Sequence, residues 1–381
     1  MKKNRILLYI ISTLLWFSLY CYVSEFSLYA LNIGATMSQL GLISSCYGLT
    51  QVLLRIPLGI LCDTVGKRKC FITLGTLLSS LASLLLIIKP QIITLFVFKI
   101  ICGGAASCWV LYTITYASYY SGDQTQQAIG KVNSANSLGQ ITGMILGGIL
   151  VMVTKDQSNV FILSFIAAFI ATILTLLLNE IKFIKKKINI KSFIIVLSNK
   201  TLIINSILAI FVQIVMYAAT FTYGPVLAQS YGMNGLYRSL YIGVGILPTA
   251  LFAPIICSSL VKKLGYIKTL YFGFTIIIVI SYILSLIDHV LLLYVSHFII
   301  GFGYAMTFPL VMSLSVSKID PSNRASAMGI FQAIYGLGII IGPSLLGTII
   351  DKFSMEFGFK ILSLCTIGAL IIIKIFKKNI Y

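Results

Sequence analysis

The feature that most constrains this chain is a train of apolar runs, each long enough to cross about 30 Å of hydrocarbon. They fall at about Ile6–Leu28, Ser38–Leu61, Phe71–Ile88, Ile92–Tyr119, Ile129–Val153 and Val160–Leu178. After a polar break they resume at about Leu202–Ala228, Leu240–Val261, Thr269–Ile287, Val290–Val316, Ala325–Ile350 and Phe357–Phe376. With 59% hydrophobic and 10% charged residues, no soluble packing could hide this apolar surface. In lipid each backbone polar group needs a partner inside the protein, so the spans are helices or a closed barrel. Continuous runs without strict alternation exclude the barrel. The expected fold is all-α, with twelve transmembrane helices.

The net charge of +19 is distributed by side. Of the 28 Lys and Arg, Lys89, Lys155, Arg238, Lys352 and Lys360 fall in loops assigned outside, and Arg55 and Lys99 in spans. All the others lie in loops or termini assigned inside. That is the positive-inside pattern of a cell-membrane protein, with both termini cytoplasmic, and not a nucleic-acid face. The eight cysteines show no metal-ligand spacing and read as small buried residues. No metal or cofactor is expected.

The chain repeats itself. Shifted by 199 residues, Gly66 meets Gly265, Gly104 meets Gly303, Gly130 meets Gly329, Gly139 meets Gly338, Gly143 meets Gly342 and Gly148 meets Gly347. Chance at one shift gives about one such match. The expected domains are a six-helix half over 1–179, a basic cytoplasmic linker over 180–201 and a second six-helix half over 202–381, related by a pseudo-two-fold axis. Such parallel halves place a transporter's site near the membrane midplane.

One loop carries a sharper signal. In QVLLRIPLGILCDTVGKRKC (residues 51–70) an apolar helix ends in Gly59, Asp63 and Gly66, and Lys67, Arg68 and Lys69 follow. Glycines permit a tight turn, and the basic triplet holds it on the cytoplasmic side. Gly59, Leu61, Asp63, Gly66, Lys67 and Arg68 resemble the loop signature between the second and third spans of the major facilitator superfamily. The resemblance covers nearly the whole chain. It implies a gating role for this loop, with Asp63 near the helix end at Ser322 to Ser326. Gly139, Gly143, Gly147 and Gly148 on span five resemble the fifth-span signature of proton-coupled drug antiporters of that superfamily, with Met144 where those have proline. Span eleven repeats the pattern with Gly338, Gly342 and Pro343. Glycines four apart let helix backbones touch, and span eight is the expected neighbour.

Charges inside spans are functional candidates. Glu25 lies in span one, Arg55 in span two, Lys99 in span four and His297 in span ten. Glu25 suits proton uptake, because burial favours its neutral form, and it also reads as a solvated helix-end acid. Lys99 is the expected partner of Glu25 in one state of a cycle, or else reaches the outer headgroups. His297 is either a proton site or a hydrogen-bonded core histidine. Trp16, Tyr20, Trp109, Tyr112, Gln213, Tyr217 and Tyr304 fall on spans one, four, seven and ten, which line the central cavity of the resembled fold. An aromatic cavity with few charges suits an amphipathic or cationic organic solute.

The expected function is secondary transport by alternating access, as a monomer exporting a small organic solute against a proton gradient. Import of a sugar, nucleoside or other metabolite in the same fold stays open, as does a non-transporting membrane receptor. No nucleophile–base or metal cluster points to an enzyme, and no phosphate-cradling loop to nucleotide-driven pumping.

Overall fold

The computed structural model describes residues 2–65, 67–120, 125–179, 196–320 and 323–380. Side chains at 59–60, 62–64, 125–127, 257–258 and 325 fall outside that description. The expected linker is therefore described only from residue 196 onward.

Every described element is helical. In chain order they are α1 (Lys2–Tyr20), α2 (Val23–Asn32), α3 (Met37–Val65), α4 (Lys69–Ile88), α5 (Ile92–Ser107), α6 (Trp109–Ala117), α7 (Thr125–Thr154) and α8 (Asn159–Leu176). Then follow α9 (Lys200–Val215), α10 (Gly224–Ser230), α11 (Gly235–Ile255), α12 (Val261–Leu264), α13 (Tyr266–Ile283), α14 (Val290–Ser317), α15 (Arg324–Lys352), α16 (Met355–Ile375) and α17 (Lys377–Ile380). Among the described residues, eleven helical stretches are long and apolar enough to cross a membrane. The 29-residue α3 stands where the second span was expected. The chain is a multi-pass, all-helical membrane protein.

Three expected spans are broken helices. Span one divides between α1 and α2 at Cys21–Tyr22, and span four between α5 and α6 at Cys108. Span seven passes through a π-helical turn, Met216–Thr222, before α10. There Pro225 sits in the first turn of α10, where its missing N–H leaves no bond unmade. Gly265, matched to Gly66 in the repeat, takes φ 78° to start α13, a conformation open to glycine.

Contacts divide the chain into two units. The first comprises Met1–Gly34, Leu53–Ile188 and Met233–Ser239. The second comprises Ala35–Val52, Asn189–Gly232 and Leu240–Tyr381. In the first, the glycine face of α7 lies on span one rather than on span eight as expected. A Cβ at Gly143 would stand 2.7 Å from the Phe17 carbonyl oxygen, and Cβ atoms at Gly139 and Gly147 would collide with the carbonyl oxygens of Thr13 and Cys21. Only Gly148 meets span eight, against Gly235 at the start of α11. The backbones touch reciprocally, since a Cβ on either glycine would come within 2.7 Å of the other's carbonyl oxygen.

The second unit repeats the arrangement. Gly338 and Gly342 of α15 lie on the backbone of Ile210 and Ile214 in α9. The Pro343 carbonyl accepts from Tyr223, 3.2 Å away. At the end of α15, Asp351 accepts from the backbone N–H groups of Met37 (3.0 Å) and Ser38 (2.7 Å). It thereby caps the orphan donors that begin α3 from a distant part of the chain. Asp351→Ala is expected to cost about 1 kcal/mol, the usual size of a lost cap. Thermal unfolding in detergent should show the loss, and an unchanged midpoint would remove the cap from the account.

Candidate functional site

The first unit holds a buried ion pair between α2 and the first turn of α11. Arg238 Nε donates to Glu25 Oε1 at 3.3 Å, and Nη2 donates to Oε2 in a short contact. Arg238 Nη1 donates to the Met233 carbonyl at 2.7 Å, which fixes the guanidinium plane. The side chains are 4% and 0% exposed. The adjacent residues join as well, Ser24 and Ser239 hydroxyls lying 2.8 Å apart. The two-pronged geometry is one that arginine alone supplies to a carboxylate. Its neighbour is the Gly148–Gly235 contact, and glycine at both positions lets α11 come close to α7.

In this structure Glu25 is paired with Arg238 and not with Lys99, the partner expected in one state of a cycle. One expectation is corrected. Arg238, assigned from sequence to an outer loop, is a buried helical residue. The reason is one of boundaries. A charge ahead of an apolar run reads as loop, so span eight was expected to begin at Leu240, whereas α11 begins at Gly235. The signal that could have found Arg238 is the lone span carboxylate itself, since a buried acid needs a cation or a proton.

Lys99, on α5, faces the ring of Phe26, the residue after Glu25. Its Nζ lies 3.9 Å from the Phe26 ring centroid, 5.1 Å from Tyr22 and 6.0 Å from Phe98. Trp16 and Trp109 meet edge to face at 5.2 Å, and Trp16 also packs on Tyr20. Trp16 Nε1 is buried and lacks a hydrogen-bond partner among the described residues. Tyr112 is fully buried, and its hydroxyl donates to the Ile72 carbonyl at 2.8 Å. Arg55 is half-buried on α3. Lys67 is exposed and Arg68 precedes α4. The side chain of Asp63, the environment of Gly59, and Gly66 lie outside the described residues, as does Ser322.

In the second unit Gln213 is 4% exposed, with Oε1 unpartnered among the described residues. Tyr217 stacks with Tyr47 at 6.3 Å and meets Phe221 at 5.3 Å. Tyr304 is buried, its hydroxyl 3.3 Å from Thr220 Oγ1. His297 is fully buried and stacks on Tyr241 at 4.1 Å. Neither ring nitrogen has a hydrogen-bond partner among the described residues, which departs from the expected bonded core histidine. Gly245 leaves room for the ring, since a Cβ there would come within 2.7 Å of Nε2. Among the described residues no cluster of His, Cys, Asp or Glu could hold a metal ion.

Known proteins share this plan. The model of the Major Facilitator Superfamily matches residues 7–343 and 242–379. An uncharacterized MFS-type transporter of Methanocaldococcus jannaschii is 27% identical over 85% of both chains. The multi-drug resistance efflux pump PmrA of Streptococcus pneumoniae is 24% identical over 88% of this chain and 86% of its own. The crystal structure of the nucleoside transporter NupG superposes with a TM-score of 0.78 at 16% identity, covering 98% of this chain and 99% of that one. A bacterial homolog of the human lysosomal transporter Spinster gives 0.77 at 15% identity, covering 97% and 94%. Such low identities carry the fold alone, but the family model spans most of the sequence, and the chain belongs to the Major Facilitator Superfamily of secondary transporters, not to an enzyme family.

Proposed function

We propose that the chain exports a small organic solute in exchange for protons, with the Glu25–Arg238 pair as the proton switch. The observation that carries this reading is the fully buried carboxylate held by a buried guanidinium. Protonating Glu25 removes the negative charge from the pair, and breaking a buried ion pair is costly. The start of α11 then has reason to leave α2, so proton occupancy biases a two-state motion. The likeness to a named efflux pump supports the direction of transport. The charge asymmetry of the loops supports a cell-membrane protein with both termini in the cytoplasm, and the glycine repeat supports halves over 1–179 and 202–381. The loop of Gly59, Asp63, Gly66, Lys67 and Arg68 is the proposed cytoplasmic gate, and His297 is the next proton candidate.

The test is gradient-driven transport in proteoliposomes. Wild type is expected to respond to an imposed pH gradient. Glu25→Gln is expected to lose that response while retaining solute exchange between the two sides. Equal gradient dependence in the two proteins would remove Glu25 from the coupling.

A further inference from the structure

Lys99 presents an unspent positive charge inside the first unit. Its ammonium has three N–H donors. Among the described residues it has neither a carboxylate nor an oxygen acceptor; it faces the rings of Phe26, Tyr22 and Phe98, with the Cys102 thiol nearby. The acid that could have neutralised it is the sequence neighbour of Phe26. Glu25 is turned instead to Arg238, which uses both carboxylate oxygens. Lys99 as a residue is half-buried, while Phe26 and Phe98 beneath it are 2% and 0% exposed. The rings are themselves a rigid platform, Phe26 stacking on Phe98 at 5.6 Å and Phe98 meeting Phe161 edge to face at 5.6 Å.

Rings can face a cation, but they accept no conventional hydrogen bond from it. An oxyanion can, and away from bulk water such a charge-assisted bond is strong. We infer that Lys99 on its platform of Phe26, Tyr22 and Phe98 binds the carboxylate or phosphate of an anionic amphiphile, whose apolar part lies along neighbouring hydrophobic surface. This narrows the amphipathic or cationic solute expected from aromatic content to an anionic amphiphile. It rests on the transporter reading only in making that amphiphile the solute; the site itself stands on the placement of Lys99. The same chemistry is offered by an anionic lipid headgroup, and the experiment separates the two sources.

The full chain is placed in nanodiscs of phosphatidylcholine, and equilibrium binding of dodecyl phosphate, dodecanoate and dodecanol is measured without any gradient. Wild type is expected to bind both anions, with Lys99→Met weakening them about tenfold or more and Lys99→Arg retaining most of the affinity. Dodecanol is expected to bind wild type and Lys99→Met alike. Adding phosphatidylglycerol to the disc then identifies the source. If it displaces dodecyl phosphate from wild type, the site takes a lipid headgroup; if it does not, the site takes a soluble amphiphile. Undiminished anion binding by Lys99→Met, or no anion preference in wild type, overturns the inference. Because no transport is measured, these results leave the exporter reading to its own test.

Discussion

Arg238→Met is expected to destabilise the folded chain by about 3–5 kcal/mol, the usual result of stranding one member of a buried ion pair. The stranded group is Glu25, which is fully buried and whose two carboxylate oxygens both meet Arg238. Glu25→Gln should cost less, because Arg238 keeps its bond to the Met233 carbonyl and an amide oxygen can still accept from it. The informative protein is the double variant, Glu25→Gln with Arg238→Met. Removing both charges removes the desolvation penalty along with the attraction, so the double variant should be more stable than Arg238→Met alone. Arg238→Lys should fall between, because it keeps the charge and loses the fork that meets both oxygens. Chemical unfolding in micelles gives the four corners of the cycle. Additive losses would mean that the two side chains do not act on one another, and the proton switch would lose its foundation.

How much of this was open to reading in the sequence depends on the length scale of each signal. The spans were legible because about twenty apolar residues in a row have few other fates. The repeat was legible because backbone contact tolerates little besides glycine, so Gly139 and Gly338 mark equivalent places. Partners were not legible. The spacing of Gly139, Gly143 and Gly147 says that a helix is touched but not which one, and the structure gives span one. Glu25 was recognisable as a charge in a span, yet Arg238 lies 213 residues away behind a helix start that hydropathy set too late. Lys99 was recognisable too, but a sequence does not show that the ring of Phe26 faces it while the carboxylate beside Phe26 turns elsewhere. His297 was expected to find a hydrogen bond, and no local pattern reports a nitrogen that finds none among the described residues.

The glycine face of α7 gives the second large effect. Gly147→Ala is expected to cost about 3 kcal/mol or more, at the upper end of small-to-large changes in a packed core. The reason is what the new atom would meet. At position 147 the obstacle is the Cys21 carbonyl oxygen, which is backbone and cannot rotate away. Gly143→Leu meets the Phe17 backbone, with its Cα 3.1 Å from the first added carbon, and should also abolish most transport. Gly130→Ala supplies the control on the same helix. Nothing lies within 4 Å of the added carbon there, so the change should stabilise the chain by about 0.5–1 kcal/mol through the helix preference of alanine. Met144→Pro, which restores the residue of the antiporter pattern, should impair transport less than Gly143→Leu, because neighbouring groups in spans can take up the freed carbonyl. Thermal unfolding in detergent and solute exchange in vesicles, measured on all four variants, decide the matter. If Gly147→Ala and Gly130→Ala behaved alike, the contact between α7 and the Cys21 turn would not be holding α1 and α2 where the Glu25 pair requires them.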